Sequence, residues 1–337
     1  MADKRYKKII FSLFLLLIVL SLIGCKSLTA KKGAKPSESF IGTEGIVMNF
    51  LANSPPDKIV ADAFQLEVPI TIEVRNRGIF PSPEEGTFDR WKEEDIIFVS
   101  GYDPILFYEW KVDGRIEDPV ASIRRKTLDG KSAFNPEGGY DTIEFTGTLD
   151  AGSIKIDKFG PSFLVTACYH YFTRANPTIC IDPDPFSLSN EKKVCQVGSI
   201  ALSSQGAPIA VTKVEEEVLK NSIQFKIYFK NVGKGEVIKS ESLNKCSPKN
   251  KDALDRKDMD LIKISDVKVS FESIKGSCKP TEQGYARLFN TEGFVICSMP
   301  KMNDIKTAYN TPLFIELEYG YRTSISKSVE IINIPNG

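Results

Sequence analysis

The densest group of reactive side chains lies in one stretch of the sequence, CYHYFTRANPTICIDPDPF. It contains the single histidine of the chain, two of its seven cysteines and two aspartates separated by one residue. These residues are Cys168, His170, Cys180, Asp182 and Asp184. Thiolates, imidazoles and carboxylates bind metal ions and also serve as nucleophiles and bases. This stretch is therefore the first place to look for a metal site or an active site.

The pattern around His170 gives little support to catalysis. The histidine lies in an alternating run, with Cys168 and Phe172 on its own face, which is typical of a half-buried or exposed strand side chain. The sequence contains no Gly-x-Ser-x-Gly, no phosphate-binding loop and no His-Glu-x-x-His motif. A carboxylate pair of the glycosidase kind needs no local motif, so that possibility stays open. We predict a protein with no enzymatic activity and no cofactor.

Asp182 and Asp184 could donate oxygen ligands to calcium. An EF-hand-like loop would need further oxygen ligands, then a glycine and a later glutamate, whereas Pro183 and Pro185 interrupt this segment. We interpret it as a proline-rigid turn in which the aspartates cap backbone groups. Calcium is the alternative, and zinc is disfavoured because exported cysteines are usually oxidised.

The N-terminus consists of a basic segment, an apolar run and a cysteine. The run from Ile9 to Gly24 has 16 residues, fewer than the roughly 18 expected of a membrane-spanning helix. Residues 1–24 therefore read as a secretory signal peptide. The sequence Leu22-Ile23-Gly24-Cys25 resembles the lipobox of prokaryotic lipoproteins. The resemblance implies cleavage before Cys25 and lipid on its sulfur, which would anchor the protein on the extracellular face of the membrane. An uncleaved anchor helix is the alternative.

Charge and composition narrow the class of protein further. Removal of residues 1–24 takes away four basic and one acidic side chain, which changes the formal net charge from 0 to −3. Such a chain is a poor partner for nucleic acid, which requires a basic face. Residues 25–42 are rich in lysine, serine and alanine, so we predict a flexible tether there. An apolar fraction of 42% is sufficient for packed cores in the rest.

Six cysteines are left if Cys25 carries lipid. An even number in an exported protein predicts three disulfides. If residues 173–175 form a hairpin loop, Cys168 and Cys180 face each other on neighbouring strands and can form a bridge. A bridge between Cys278 and Cys297 would then leave Cys195 for Cys246, although the connectivity beyond the first pair stays open. The candidates are Cys168, Cys180, Cys195, Cys246, Cys278 and Cys297.

Two long alternating segments, 155 residues apart, predict strands with one face in a core. They are FQLEVPITIEVRNRG and SIQFKIYFKNVGKG, and each ends in Asn-x-Gly. Asparagine and glycine accept positive φ, so each strand should run into a tight turn. Pro69 lacks a backbone donor, which predicts an edge or a bulge at that point. The buried faces should contain Phe64, Leu66, Val68, Ile70, Ile72 and Val74, and Ile223, Phe225, Ile227 and Phe229.

A long alternating strand that ends in Asn-x-Gly resembles the second strand of CARDB-like and related immunoglobulin-like modules of prokaryotic surface proteins. The chain is also similar to a group of archaeal exported proteins of unknown function, at Cys168-Tyr169, Cys180-Ile181-Asp182-Pro183 and residues 205–212. We predict an all-β fold with two tandem immunoglobulin-like β-sandwiches. The first would span residues 43–190, the linker 191–207 and the second sandwich 208–337.

Aromatic residues give the best indication of binding. Trp91, Tyr108 and Trp110 are close in sequence, and exposed rings of this kind stack on sugars or anchor partner proteins. The alternative is that the tryptophans belong to the core. We predict a lipid-anchored surface protein that recognises a protein or a glycan. Two alternatives are an architectural subunit of an envelope or secretion assembly, and an extracellular hydrolase with an unrecognised carboxylate pair.

Overall fold

The structure is a computed structural model that describes residues 41–61, 64–80, 95–123, 128–186, 193–301 and 307–334. The predicted signal peptide, Cys25, most of the predicted tether and Trp91 lie outside these residues. Glu38–Gly337 forms one compact unit. None of the helices in the described ranges is long and apolar enough to cross a membrane.

The described part consists mainly of strands, with three short 3₁₀ helices at Ala151–Ser153, Ser240–Cys246 and Lys275–Ser277. The strands are β1 Ile46–Phe50, β2 Lys58–Ala61, β3 Gln65–Asn76, β4 Ile96–Ser100, β5 Phe107–Val112, β6 Arg115–Ile116, β7 Val120–Ser122, β8 Tyr140–Asp150, β9 Lys158–Phe159, β10 Ser162–Ala175, β11 Thr178–Ile181, β12 Ser199–Ala201, β13 Ile209–Val218, β14 Ser222–Asn231, β15 Glu236–Ile238, β16 Leu261–Val269, β17 Glu272–Ser273, β18 Tyr285–Arg287, β19 Glu292–Pro300, β20 Tyr309–Ser328 and β21 Glu330–Asn333. The prediction of an all-β sandwich fold is confirmed.

The strands form four sheets. A five-stranded sheet has the order β1-β3-β8-β5-β6, and a four-stranded sheet has the order β12-β13-β14-β19. A nine-stranded sheet contains the path β17-β16-β20-β10-β4-β7, and β11, β15 and β18 attach to that path. A small sheet joins β2, β21 and β9. The nine-stranded sheet therefore contains strands from both halves of the chain, and we call it the shared sheet.

The alternating segments form strands with the predicted buried faces. In β3, the side chains from Val68 to Val74 alternate between buried and half-buried or exposed positions, and β14 does the same from Ile223 to Phe229. Phe64 was predicted to be buried but is 72% exposed, because it lies before β3 begins. Pro69 pairs with β8, whereas β1 contacts β3 only from Ile72 onward, so one side of the proline is at an open edge.

The five-stranded and the four-stranded sheet pack on the same two strands of the shared sheet, β10 and β20. The hydroxyl of Tyr169 in β10 accepts a hydrogen bond from the backbone N–H of Ile46 in β1, at 3.0 Å. The hydroxyl of Tyr319 in β20 accepts one from the N–H of Ile209 in β13, at 3.3 Å. Ile46 pairs with Asn76 and Ile209 pairs with Asn231, so the two halves use the same contact at the same register.

The division into two domains, residues 43–190 and 208–337, is not confirmed. β10 pairs with β20 along its full length, from Ser162↔Ser328 to Ala175↔Ile315. β2, near the N-terminus, pairs in parallel with β21, near the C-terminus. The predicted linker contains β12, which pairs with β13. Backbone pairing that crosses a boundary in this way is unusual for independent domains, whose boundaries few contacts cross.

The predicted hairpin between Cys168 and Cys180 is wrong. β10 and β11 both pair with β20, at consecutive registers, so the chain continues in one direction instead of turning back. Pro177 has no backbone N–H, which interrupts the ladder between the two strands without reversing the chain. The disulfides are Cys168–Cys246, Cys180–Cys195 and Cys278–Cys297. The third pair agrees with the sequence-based expectation.

The glycines of the two Asn-x-Gly sequences have a different role from the predicted one. Neither Gly78 nor Gly233 has a positive φ. A side chain at either position would instead overlap a tyrosine hydroxyl, that of Tyr171 beside Gly78 and that of Tyr321 beside Gly233. These positions therefore require glycine because another side chain approaches the backbone closely, and not because the backbone is left-handed.

Candidate ligand-binding site

His170 is fully engaged by its protein surroundings, and the prediction that it is half-buried or exposed was wrong. Only 4% of the residue is exposed. Its Nδ1 lies 2.8 Å from Oδ1 of Asp95, and its Nε2 lies 3.1 Å from the carbonyl oxygen of Ser240. A catalytic base needs a ring nitrogen that can reach a nucleophile or a substrate. Since Nε2 faces a backbone carbonyl, this histidine joins the shared sheet to the 3₁₀ helix Ser240–Cys246.

The same 3₁₀ helix and the residues after it cover one face of the shared sheet. The disulfide Cys168–Cys246 fixes the end of the helix to β10. Asp258, which is 3% exposed, accepts hydrogen bonds from Ser242 at 2.7 Å and from Lys245 at 3.0 Å. Burial alone would raise the pKa of Asp258, but these bonds lower it to about 2. The cluster around Cys168 and His170 is thus a structural attachment.

Asp182 and Asp184 form the capped turn that the sequence indicated. Oδ1 of Asp182 accepts the backbone N–H of Asp184 at 3.0 Å, and its Oδ2 accepts Nζ of Lys193 at 2.7 Å. The same ammonium also donates to the carbonyl oxygen of Asp184. In the described part of the chain, no cluster of three or more histidine, cysteine, aspartate or glutamate residues could hold a metal ion. The carboxylate of Asp182 already neutralises a lysine.

A second buried carboxyl group lies near Asp182. Glu216 in β13 is 8% exposed, and its Oε2 accepts the backbone N–H of Cys180 at 3.3 Å. The pKa of Glu216 is raised to about 7, because burial, aided by the charge of Asp182, outweighs the hydrogen bond from Cys180. Neither carboxyl lines the cleft or the groove described below. The carboxyl groups of Asp182 and Glu216 therefore give no support to the hydrolase alternative.

The aromatic residues singled out from the sequence do not form one exposed surface. Trp110 is 5% exposed and packs between Tyr102 and Phe107, so it belongs to the core, as the alternative interpretation held. Tyr108 is 49% exposed on the opposite face of β5. Trp91 lies outside the described residues. Trp110 therefore does not belong to an exposed ligand-binding surface with Trp91 and Tyr108.

A different aromatic surface lies on the other half of the molecule. We call it the aromatic cleft, a depression of about 810 Å³ between β14, β19 and the segment 279–289. Tyr228 of β14 and Phe294 of β19 are paired residues with ring centroids 6.0 Å apart. Phe289 is 73% exposed at the tip of the hairpin between β18 and β19. A cleft of this volume is in the range of small-ligand sites.

The hairpin tip has a specific backbone conformation. Asn290 and Thr291 both have positive φ, of 50° and 72°, and Phe289 pairs with Glu292 across them. Two consecutive residues with positive φ are typical of a type I′ turn, whose twist matches that of the two strands. The turn holds Phe289 away from the core. It therefore places an apolar ring in solvent at the cleft that Phe294 also lines.

Lysine side chains lie over the rings of the aromatic cleft. Nζ of Lys226 is 4.5 Å from the ring centroid of Phe294 and 4.9 Å from that of Tyr228. Nζ of Lys213 is 4.3 Å from the Tyr228 centroid. The Tyr228 hydroxyl donates to Glu215 at 2.6 Å. Hydrogen bonds from Lys213, and next from Tyr228, hold the pKa of Glu215 below its usual range. The ammonium groups orient the rings by cation–π contact.

Two other lining residues, Tyr285 and Arg287, have their polar groups held in place by hydrogen bonds within the protein. Tyr285 is almost completely buried, and burial raises its pKa to about 12, so its hydroxyl keeps its proton and bonds with that of Ser240. Nη1 of Arg287 donates to the carbonyl oxygen of Met259 at 2.9 Å, which fixes the guanidinium. Apolar walls with a few fixed polar groups are the usual composition of a binding site.

Sequence reasoning missed this site because its rings are separated along the chain. The signal that could have indicated the site is the sequence Phe289-Asn290-Thr291-Glu292-Gly293-Phe294, in which two phenylalanines flank a short segment that contains the turn formers asparagine and glycine. The alternation in β14 places Tyr228 opposite the predicted core, between Lys226 and Lys230, where nothing distinguishes it from an ordinary surface residue. Only the pairing of β14 with β19 brings Tyr228 next to Phe294.

Comparison with protein-family models and with curated proteins gives no match to this chain.

Proposed function

We propose that this chain is a lipid-anchored, non-catalytic protein of the extracellular membrane face that binds a partner protein or a glycan through its aromatic cleft. The anchor follows from Cys25 in its lipobox-like sequence, and the resemblance to CARDB-like surface modules belongs to the same proposal. The observation that carries the binding role is the exposure of Phe289 and Phe294 beside Tyr228. A group of exposed apolar rings around one depression, unlike a single exposed ring, is the kind of surface that marks a binding site.

The rings and lysines together suit ligands with both apolar and polar surfaces. A sugar ring presents C–H groups that pack on aromatic faces and hydroxyls that accept hydrogen bonds from lysine. A peptide side chain can use the same rings as an anchor pocket. Glu282 and Glu292 at the rim supply carboxylate acceptors for hydroxyl or amide donors.

The test compares three forms of the polypeptide 26–337, which lacks the predicted signal peptide and Cys25, on a glycan array and against solubilised envelopes of cells that produce the protein. They are the wild type, the double variant Phe289→Ala/Phe294→Ala and the control Phe271→Ala. Phe271 is 96% exposed in the turn between β16 and β17 and does not line the cleft. The control therefore removes an exposed ring of the same kind elsewhere.

We expect a ligand that binds the wild type and the control equally and the double variant at least about tenfold more weakly, since anchor rings at interface centres contribute about 1–2 kcal/mol or more. If all three proteins retain the same ligands with the same affinity, the cleft is not the binding site. In cells, Cys25→Ser should release the protein from the membrane, and retention of the variant would contradict the lipid anchor.

A further inference from the structure

β1 has an open edge on the side away from β3. Within the described ranges, β1 pairs only with β3, from Ile46↔Asn76 to Phe50↔Ile72. The N–H of Ile46 points away from β3, because it donates to the Tyr169 hydroxyl. In an antiparallel ladder every second residue directs its backbone groups to the same side. Met48 and Phe50 therefore present their N–H and C=O groups at this open edge.

The other half of the chain contains the same edge in a covered state. β13 pairs with β14 as β1 pairs with β3, and the equivalent of Met48 is Val211. The side-chain amide of Gln205 bonds both backbone groups of Val211, with Oε1 2.8 Å from N and Nε2 3.0 Å from O. β12 then continues along the edge as an antiparallel strand, with Ala201 opposite Lys213.

A groove of about 500 Å³ runs beside the open edge of β1. On its opposite side is β20, whose second edge pairs with β15 only as far as Arg322 and is open from Thr323 onward in the described part of the chain. The lining includes Met48, Tyr169, Lys234, Tyr321, Arg322 and Ile325. The groove thus combines apolar side chains with unpaired backbone groups.

β1 lacks the features that normally protect an edge strand from pairing. Its sequence, IVMNF, contains no charged residue and no proline, and its register with β3 has no bulge. Natural edge strands usually carry such features, because unpaired backbone groups recruit another strand. An unprotected edge beside a groove is the arrangement in which extended peptides add to a sheet.

We propose that an extended segment of a partner protein adds to β1 as an antiparallel strand and fills this groove. Its backbone bonds to Met48 and Phe50, as the Gln205 amide and β12 bond to β13. Every second side chain of the segment is apolar and packs against Tyr321 and Ile325. An acidic side chain at the end of the segment pairs with Lys234, which is exposed at the rim.

The tether of the same chain is a poor occupant. Between Lys26 and Phe40 the sequence KSLTAKKGAKPSESF has only two large apolar residues, Leu28 and Phe40, and they are twelve positions apart. Such a segment lacks the alternation that a strand needs to fill an apolar groove. The occupant must therefore supply apolar residues that this segment does not have.

Residue-resolved amide hydrogen exchange tests the proposal on residues 26–337. The first probe is the synthetic peptide GSIALSSQG, which is the segment that covers the equivalent edge of β13. The second is a displayed library of random nine-residue peptides. In the free protein we expect fast exchange at Met48 and Phe50 and slow exchange at Val47 and Asn49, whose amides face β3. A bound peptide should slow Met48 and Phe50 at least tenfold and leave Val47 and Asn49 unchanged.

A pair of variants separates strand addition from other binding. Met48→Pro removes the outward N–H without removing a bond to β3, whereas Met48→Leu keeps it. Peptide binding should be lost in the first variant and kept in the second. The proposal is overturned if Met48 and Phe50 are already protected in the free monomer, if they become protected only with rising protein concentration, as in self-pairing, or if no selected peptide protects them. The exchange pattern of the wild type decides these outcomes even if Met48→Pro does not fold.

Discussion

The hydroxyl of Tyr171 lies 3.1 Å from Oδ1 of Asn76, and the same contact recurs between Tyr321 and Asn231 at 3.0 Å. Each asparagine also accepts the N–H of the glycine two residues later and donates through Nδ2 to a backbone carbonyl. Each Asn-x-Gly corner is thus held by a tyrosine from β10 or β20. A buried polar group with all its partners in place specifies one arrangement of the chain.

Removal of either tyrosine hydroxyl should destabilise the fold. Tyr171→Phe removes one of the two hydrogen bonds that Oδ1 of Asn76 accepts, so we expect the free energy of unfolding to fall by about 0.5–1.5 kcal/mol. Tyr321→Phe also leaves the N–H of Gly235 without its acceptor, so we expect a loss of about 1–3 kcal/mol there. Tyr108→Phe is the control, because Tyr108 is half exposed, and it should change stability by less than about 0.5 kcal/mol. Urea denaturation measures all three. Wild-type stability in both corner variants would show that the contacts contribute nothing.

The glycines of these corners provide an independent test of the close approach. Gly78→Ala and Gly233→Ala should each lower the free energy of unfolding by about 1–3 kcal/mol, because the added methyl group overlaps a tyrosine hydroxyl. Gly160→Ala, which meets no atom within 4 Å, should be nearly neutral.

Gly78→Ala combined with Tyr171→Phe should be more stable than the sum of the two single losses predicts. Removal of the hydroxyl relieves the closest of the overlaps that the methyl group makes, while those with the ring carbon and with the carbonyl oxygen of Glu44 remain, so the two residues are partly coupled. Simple additivity in this double variant would argue that the overlap is relieved elsewhere.

Peptide mapping of the unreduced protein should recover three pairs, Cys168–Cys246, Cys180–Cys195 and Cys278–Cys297. Replacement of Cys168 and Cys246 by alanine removes a link across 78 residues, and replacement of Cys278 and Cys297 removes one across 19. In the chain-entropy model these links contribute about 4.5 and about 3 kcal/mol, so the first double variant should be the less stable in urea. Recovery of a Cys168–Cys180 peptide would contradict the strand order of the shared sheet.

The sequence was sufficient for the strands and their buried faces, because period-2 alternation is a local signal. Ile70 and Phe225 are buried where the alternation places them. The sequence did not predict which strand pairs with β10. A turn-like sequence at residues 173–175 suggested a local hairpin, whereas the real partner lies about 150 residues away, in β20. Long-range pairing depends on the whole topology, and no local pattern encodes it.

The candidate site could not be predicted from local sequence patterns, for the same reason. Tyr228 and Phe294 are distant in sequence and become neighbours only through the pairing of β14 with β19. Trp110 looked like a ligand contact from its residue type, but its ring fills the core beside Phe107. Residue type indicates what a side chain can do, whereas its exposure depends on packing that the sequence pattern did not determine.

Glu216 should make the stability of the protein depend on pH. Its pKa is raised by burial to about 7 in the folded chain, whereas an unfolded glutamate titrates near its usual value of about 4.5. Below about pH 4.5 both states hold the proton and the group has no effect. Between about pH 4.5 and 7 the unfolded chain releases the proton first, so stability falls as the pH rises and then levels off.

Glu216→Gln removes this loss because the amide stays neutral at every pH. Relative to that of the wild type, the free energy of unfolding of the variant should therefore rise by about 2–3 kcal/mol between pH 4 and pH 8, since one pKa unit corresponds to about 1.4 kcal/mol and solvent screening reduces the full product. Glu217→Gln, at the exposed neighbouring position, is the matched control and should show no such gain. Urea denaturation of the three proteins at both pH values decides the matter. If Glu216→Gln differs from the wild type by the same free energy at pH 4 and pH 8, the carboxyl has the same pKa in the folded and the unfolded chain, and its burial does not raise that pKa.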